Sequence, residues 1–371
     1  MTIGDLSGVA DIGFGDVAEQ EEIGPEIVSR GFLAAHPWAA YAARRIGLYL
    51  VTLWGSITAS FFFFHLIPGN PIQAFLANLQ QTIHSSNIQA SQAVLAHYKT
   101  VFGLNGSLLT QYGHYMYQLF IKGTMGPSLI SYPTPAQQVI ANALPYTIGL
   151  LGLATVIAFV LGTLLGALIG WLPDRRWSSW TTNVCIALSH VPFYFIALIG
   201  LFILCYHWAV LPAEYAYGIN LHPAFNGAFL GSLLYHGILP AFSIVIVAVT
   251  STMIATRQLM IPVLGEDYLS FAEAKGLRPR TILTRYALRN CYLPAVTGFG
   301  ISLGFIFSGN VLIEALFTYP GVGHLYVQAI LNQDLDTALG LTIVAIFTVL
   351  TANLIIDFLL PLLDPRVKYA R

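Results

Sequence analysis

Charge is scarce in this sequence: Asp, Glu, Lys and Arg make up 9% of its 371 residues, where a soluble domain carries about 25%. Hydrophobic residues make up 56%. No water-soluble core hides that much apolar surface, so a bilayer has to solvate most of the chain. Cysteine is nearly absent. Cys185, Cys205 and Cys291 form no CxxC pair and no metal-ligand spacing, which leaves them as small apolar packers. No HExxH and no acidic metal cluster marks the apolar segments, and no GxSxG is expected there as a strand-to-helix nucleophile elbow, which sets aside an intramembrane enzyme. No GxxxxGK[ST] loop occurs, so work driven by ATP needs another chain. With a net charge of −1 and no basic cluster apart from the apolar segments, nucleic acid is not an expected partner.

The first 36 residues stand apart. Residues 1–29 hold seven acids (Asp5, Asp11, Asp16, Glu19, Glu21, Glu22, Glu26) and no Lys or Arg. That composition reads as an acidic disordered tail, without the basic start and apolar run of a cleavable signal peptide. Six later segments reach the length of about 20 apolar residues that a spanning helix needs: 46–67, 145–170, 182–206, 237–256, 293–313 and 340–361. The outer loop 71–144 contains apolar helical spacing at 89–102 and an aromatic-rich stretch at 108–121, so a small ordered cap is expected there.

Basic residues set the orientation. Arg30, Arg44 and Arg45 precede the first span, and Arg175 and Arg176 sit in the second loop. Arg257, Lys275, Arg278, Arg280, Arg285 and Arg289 fill the fourth loop, and Arg366, Lys368 and Arg371 end the chain. With six spans, 14 of the 16 Lys and Arg fall on one side, and only Lys99 and Lys122 lie opposite. Both termini are therefore expected in the cytoplasm. The expected fold class is an all-α integral membrane protein, with a cytoplasmic tail at 1–36 and a transmembrane domain at 37–371.

The cytoplasmic stretch 257–292 is the most informative. Gly265 breaks the fourth span's continuation, and Glu266 and Asp267 open a short helix whose N-terminal dipole favours acids. Lys275 falls in its last turn, and Gly276 is a natural stop that calls for a positive φ. A free helix of about ten residues is marginal in water. The chain offers it little on the cytoplasmic side, which suggests a socket on a partner.

Asp267-Tyr268, Ala272-Glu273-Ala274-Lys275-Gly276-Leu277, Leu288-Arg289-Asn290 and Leu293-Pro294 together resemble the coupling segment of ABC importer permeases of the dipeptide/oligopeptide type. Further matches follow in order: Leu66 to Pro71, Trp208 with Leu211-Pro212, His236 to Pro240, Glu314 with Phe317, Pro320-Gly321 and Gly323, and Leu363 to Arg366. Where the general signature begins Glu-Ala-Ala, this chain has Ser270-Phe271-Ala272.

The resemblance implies a type I importer permease with six transmembrane helices in the plasma (inner) membrane of a prokaryote. It implies ATPase coupling through Glu266, Asp267, Tyr268, Ala272, Glu273, Ala274, Lys275, Gly276, Leu277 and Arg278. It also points to His190, Asn310, Glu314, Asn353 and Asp357 along the path or gate. The implied partners are a second homologous permease, two cytoplasmic ATPase subunits, an extracytoplasmic solute-binding protein and the lipid bilayer. The chain itself would bind no cofactor, ATP and Mg being used by the ATPases. Peptides are the expected cargo, with oligosaccharides or nickel as alternatives, and a stand-alone channel or receptor as the remote one.

Polar residues in the spans carry open alternatives, since ionisable groups in a bilayer are costly. Ser189-His190-Val191-Pro192 interrupts the third span; the polar pair either satisfies a carbonyl freed by Pro192 or lines a passage. Asn353 and Asp357 share a face of the sixth span, as an interhelix tie (with Arg44 or Arg45) or a substrate contact. Glu314 reads as a gate, a binding-protein dock or a solvated loop acid. His65 is read as interfacial. Gly162, Gly166 and Gly170 form a stripe for close helix packing.

Overall fold

The computed structural model of the chain describes residues 37–66, 100–102 and 105–363. The acidic tail, most of the 89–102 stretch, Ile67–Pro71 and Asp364–Arg366 lie outside the described residues. Among those described, the fold is all-α, and the one β pairing is an isolated bridge between Pro127 and Pro135.

In chain order the helices are α1 (Pro37–Leu66), α2 (Leu108–Tyr117), α3 (Ala136–Trp171), α4 (Arg176–Ser189), α5 (Phe193–Gly200) and α6 (Gly227–Val263). They continue as α7 (Asp267–Ala274), α8 (Pro279–Thr281), α9 (Leu288–Ile306), α10 (Val311–Leu316), α11 (Val322–Leu331) and α12 (Leu335–Leu363). π-Helical turns prolong α2 over Gln118–Lys122 and α5 over Leu201–His207, and Ile282–Ala287 joins α8 to α9. Helices α1, α3, α6 and α12 are each long and apolar enough to cross a membrane. The aromatic stretch 108–121 forms α2 and its π turn, and it packs Tyr112 and Tyr115 against Phe61 of α1.

The stretch 182–206 is not one straight helix. Its two halves, Arg176–Ser189 and Phe193–His207, meet at 86°. Pro192 has no N–H to continue the first helix and its ring excludes the helical path, so the chain turns and restarts with Pro192 as N-cap. Neither half alone reaches the roughly 30 Å of a hydrocarbon core at 1.5 Å per residue. The fifth apolar stretch, 293–313, is divided too. Helix α9 ends at Ile306, Gly309 takes a left-handed φ of 74°, and Asn310 caps α10 by accepting from the Ile313 N–H at 3.2 Å.

Contacts fix the helix directions. Gly162, Gly166 and Gly170 of α3 meet Thr252, Met253 and Met260 of α6 in rising order, so α3 and α6 run parallel. At Gly166 a Cβ would stand 2.6 Å from the Met253 carbonyl, so only hydrogen fits between the two backbones. Gly300 and Gly304 of α9 meet Ile356 and Ala352 of α12, an antiparallel pair. Tyr49 of α1 bonds Thr351 of α12 at 3.0 Å, and Arg45 pairs with Asp357 further along, also antiparallel. Ile140 of α3 lies beside Gly340 of α12, parallel to it. The starts of α1 and α9 therefore share one end of the bundle with the ends of α3, α6 and α12. This is the basic end, carrying Arg44, Arg45, Arg175, Arg176 and Arg257.

Candidate coupling platform and membrane cleft

At the basic end, turns after Pro262 and Val263 close α6, and Glu266 becomes the N-cap of α7. The helix stops at Lys275 in a Schellman arrangement: the Leu277 N–H donates to the Ala272 carbonyl at 3.3 Å and the Gly276 N–H to Glu273 at 2.8 Å. Gly276 has φ 72°, as its position in sequence required.

The expectation that this helix lacks a partner in its own chain does not hold. Leu269 and Ala272, 3% and 2% exposed, are packed into a cluster with Ala167 of α3, Met260 of α6, Ile282 and Ala287 of the π turn, and Cys291 of α9. Those two apolar residues, three apart, form the inward stripe of an otherwise polar helix. Tyr268 and Leu277 are half-buried at its margin. The opposite face is exposed: Glu266, Asp267, Glu273, Ala274, Lys275 and Arg278, together with Phe271. Phe271 is 63% exposed, and the Lys275 Nζ lies 4.5 Å from its ring centroid. Ala272 thus faces its own spans, and Ala274 faces out.

The same three spans enclose a cleft of about 410 Å³. Thr155 and Phe159 of α3, Ser251 and Thr252 of α6, and Gly298 and Ser302 of α9 line it. Phe159 stacks on Phe299 at 4.4 Å between centroids. Counted from the basic ends of α6 and α9, Ser251 and Gly298 lie about 15–18 Å deep, near the middle of a hydrocarbon core. Aliphatic side chains, two phenyl rings and five hydroxyls face this space. No ionisable side chain does.

At the other end, Glu314 is fully buried. Its Oε1 accepts from the Thr147 hydroxyl at 3.0 Å, and its Oε2 accepts from the Gly323 N–H at 2.6 Å. Longer bonds at 3.4 Å come from the N–H groups of Asn310 and His324. The carboxylate thereby satisfies the first turn of α11 and favours its dipole. Glu314 is not a solvated loop acid. It pins α10 and α11 to α3.

Asp357 forms the expected interhelix tie: its Oδ2 lies 3.0 Å from the Arg45 Nη1, so Arg45 rather than Arg44 is the partner. Asn353, one turn away, is exposed. At the α4–α5 bend the Ile186 carbonyl is met by the Ser189 hydroxyl at 2.9 Å and the His190 Nδ1 at 2.7 Å. The polar pair thus serves the bend's backbone.

A short amphipathic helix is thus built into the ends of three spans, with a cleft between them. Residues 158–369 match the family described as binding-protein-dependent transport system inner membrane component. The chain belongs to that family. Similar relatives include the oligopeptide transport system permease protein AppB of Bacillus subtilis, 28% identical over 89% of this chain and 100% of the relative. The oligopeptide permease protein OppB of Haemophilus influenzae is 31% identical over 86% of this chain and 96% of the relative. The dipeptide permease protein DppB of Alkalihalophilus pseudofirmus is 29% identical over 89% and 99%. As an inner membrane component, the chain is a multi-pass membrane protein of a transport system.

Three features of this component escaped the sequence reading. Phe271 stands on the outward face of α7, and a lone Phe in an acidic helix was the available signal. Asp334, fully buried, caps α12 through the Thr337 N–H at 3.1 Å and holds Ser128 at 2.7 Å; its Asp-x-x-Thr spacing was legible. The cleft residues gave no signal, because Ser and Thr are ordinary in spans. Gly300-Ile301-Ser302-Leu303-Gly304 does carry the letters of a nucleophile elbow. It lies mid-helix in α9, where the Ser302 hydroxyl donates to the Gly298 carbonyl at 2.9 Å, not at a strand-to-helix turn.

Proposed function

We propose that this chain is one of two membrane-spanning permeases of an ATP-driven importer, in the plasma membrane of a prokaryote, and that its cargo is peptides. The observation that carries the reading is the cluster joining Leu269 and Ala272 of α7 to α3, α6 and α9. A load applied to the exposed face of α7 passes through packed side chains into the three spans that line the cleft. Closely packed interiors transmit such displacements rather than absorb them. Two cytoplasmic ATPases, closing on ATP, would supply the load, and a solute-binding protein would deliver cargo at the opposite end.

The helix directions support six passes: α3 ends and α6 begins at opposite ends, so the bent α4–α5 pair counts as one crossing. The 14-to-2 basic asymmetry supports a cytoplasmic position for both termini. A largely apolar cleft with scattered hydroxyls suits peptides, whose amides find some hydrogen-bond partners while varied side chains meet apolar walls and no fixed charge. Its lack of His, Cys or carboxylate lining disfavours nickel. The relatives are named oligopeptide and dipeptide permeases, which points the same way.

The test is Phe271→Glu in vesicles holding the permease pair, its ATPases and its binding protein. Phe271 contributes nothing to its own core, so the variant inserts normally. Peptide-stimulated ATP hydrolysis and uptake should fall at least about tenfold, the effect of losing ~1.4 kcal/mol of docking. Lys122→Ala, at the other end, should leave both unchanged. Normal coupling in Phe271→Glu would remove α7 from the mechanism.

A further inference from the structure

Beside α7 lies a surface that the proposed load path through Leu269 and Ala272 does not use. Thr284, Arg285, Leu288, Arg289 and Tyr292 line a cleft of about 420 Å³ at the start of α9. Arg285 and Arg289 are exposed. Among the described residues the ion pair formed is Arg45–Asp357, and neither Arg285 nor Arg289 meets a carboxylate. From residue 275 to 292 the chain has five basic residues and no acid. Two guanidinium groups one helical turn apart, unpaired and flanked by an aromatic ring, form a receptor for carboxylates.

We propose that the acidic N-terminal segment of this same chain, residues 1–29, docks on the Arg285–Arg289 face. Its seven acids and lack of Lys or Arg make it the charge complement of that face. The fold brings the two together. Pro37 begins α1 at the basic end, α12 lies between α1 and α9, and each step between neighbouring axes is about 8–10 Å. The eight residues from Ser29 to Pro37 reach about 27 Å when extended, enough to cover the roughly 20 Å between α1 and α9. Docking needs only this shared end of the bundle. Its consequence, a tail lying next to the exposed face of α7 and competing with an ATPase, rests on the proposed coupling role.

The test uses the full chain in neutral phosphatidylcholine nanodiscs and a glutamate-specific protease, with cleavage at Glu19, Glu21, Glu22 and Glu26 as readout. A synthetic peptide of residues 1–29 calibrates the protease at each salt concentration. Cleavage should be slowed about tenfold near 20 mM salt and released near 500 mM, where the Debye length shrinks from roughly 20 Å to 4 Å. Arg285→Gln with Arg289→Gln should abolish the protection at low salt, whereas Arg175→Gln with Arg176→Gln should keep it. Equal cleavage of the parent and the Arg285/Arg289 variant overturns the proposal. So does full-rate cleavage in neutral discs combined with arginine-dependent retention of phosphatidylglycerol, which would assign the face to lipid. Neither transport nor ATP hydrolysis is read, so this test can fail while the permease reading stands, and the reverse.

Discussion

Glu314 and Thr147 are 167 positions apart and share one hydrogen bond at 3.0 Å, with the Thr147 hydroxyl in turn accepting from the Val322 N–H at 2.7 Å. Nothing in the sequence paired them. The family resemblance suggested a gate or a dock, and the alternative was a solvated loop acid, because a carboxylate near the outer end of a span is usually wet. Burial changes its role. Removing the carboxylate leaves the Gly323 N–H and the Thr147 hydroxyl without an acceptor, at about 1–3 kcal/mol for each orphaned group. Glu314→Ala should therefore lower the thermal unfolding midpoint of the purified protein, with Glu314→Gln in between. An unchanged midpoint with altered uptake would return Glu314 to the gate. Asp357 shows the opposite balance: its position four residues after Asn353, near the basic end of a span, was enough to predict an arginine on α1. Choosing Arg45 over Arg44 needed the rotation of α1, which a sequence does not state.

Among the elements, the α3–α6 pair was the most legible. Glycines spaced by four on an apolar helix predict close approach in a membrane, where packing rather than the hydrophobic effect joins helices. Gly166→Leu puts a branched side chain where the Met253 carbonyl and Thr256 Cβ already lie within 3 Å of the Cβ position. It should separate the pair at a cost above the ~1–3 kcal/mol of ordinary overpacking, seen as loss of a monodisperse peak in size-exclusion chromatography. Gly149, with nothing within 4 Å of its Cβ position, is the tolerant control for Gly149→Ala. The α4–α5 pair was half legible. Pro192 announced an interruption, but the 86° angle depends on what receives the second half, which packs Ala197 and Leu201 into a core with Leu239 of α6 and Phe317, the C-cap of α10.

For the whole molecule, the cleft and α7 matter together because they rest on the same three spans. Gly298 lines the cleft, and nothing lies within 4 Å of where its Cβ would sit. Gly298→Trp should therefore leave the unfolding midpoint nearly unchanged while filling much of the space between α3, α6 and α9. Uptake should fall about tenfold or more, as expected when a pocket loses the ~1.4 kcal/mol that each decade of affinity represents, and basal ATP hydrolysis by the assembled complex should persist. Normal uptake would mean that cargo passes elsewhere. In the proposed function, Phe271→Glu and Gly298→Trp separate two roles: the first should disconnect the drive, and the second should obstruct the path.

Composition and order alone determined that this chain lives in a bilayer, where its four long apolar helices lie, where the basic residues cluster, and that a short capped helix follows Gly265. These follow from transfer energies and backbone propensities, which are local and additive along the sequence. The tertiary structure decided that Ala272 faces inward while Phe271 faces out, that Arg45 holds Asp357, and that Glu314 is a buried clasp. It also made a cleft from scattered hydroxyls of α3, α6 and α9. Each of those depends on how one helix is rotated against another, and that rotation is set by the fit of many side chains at once, the Gly162–Gly170 seam among them.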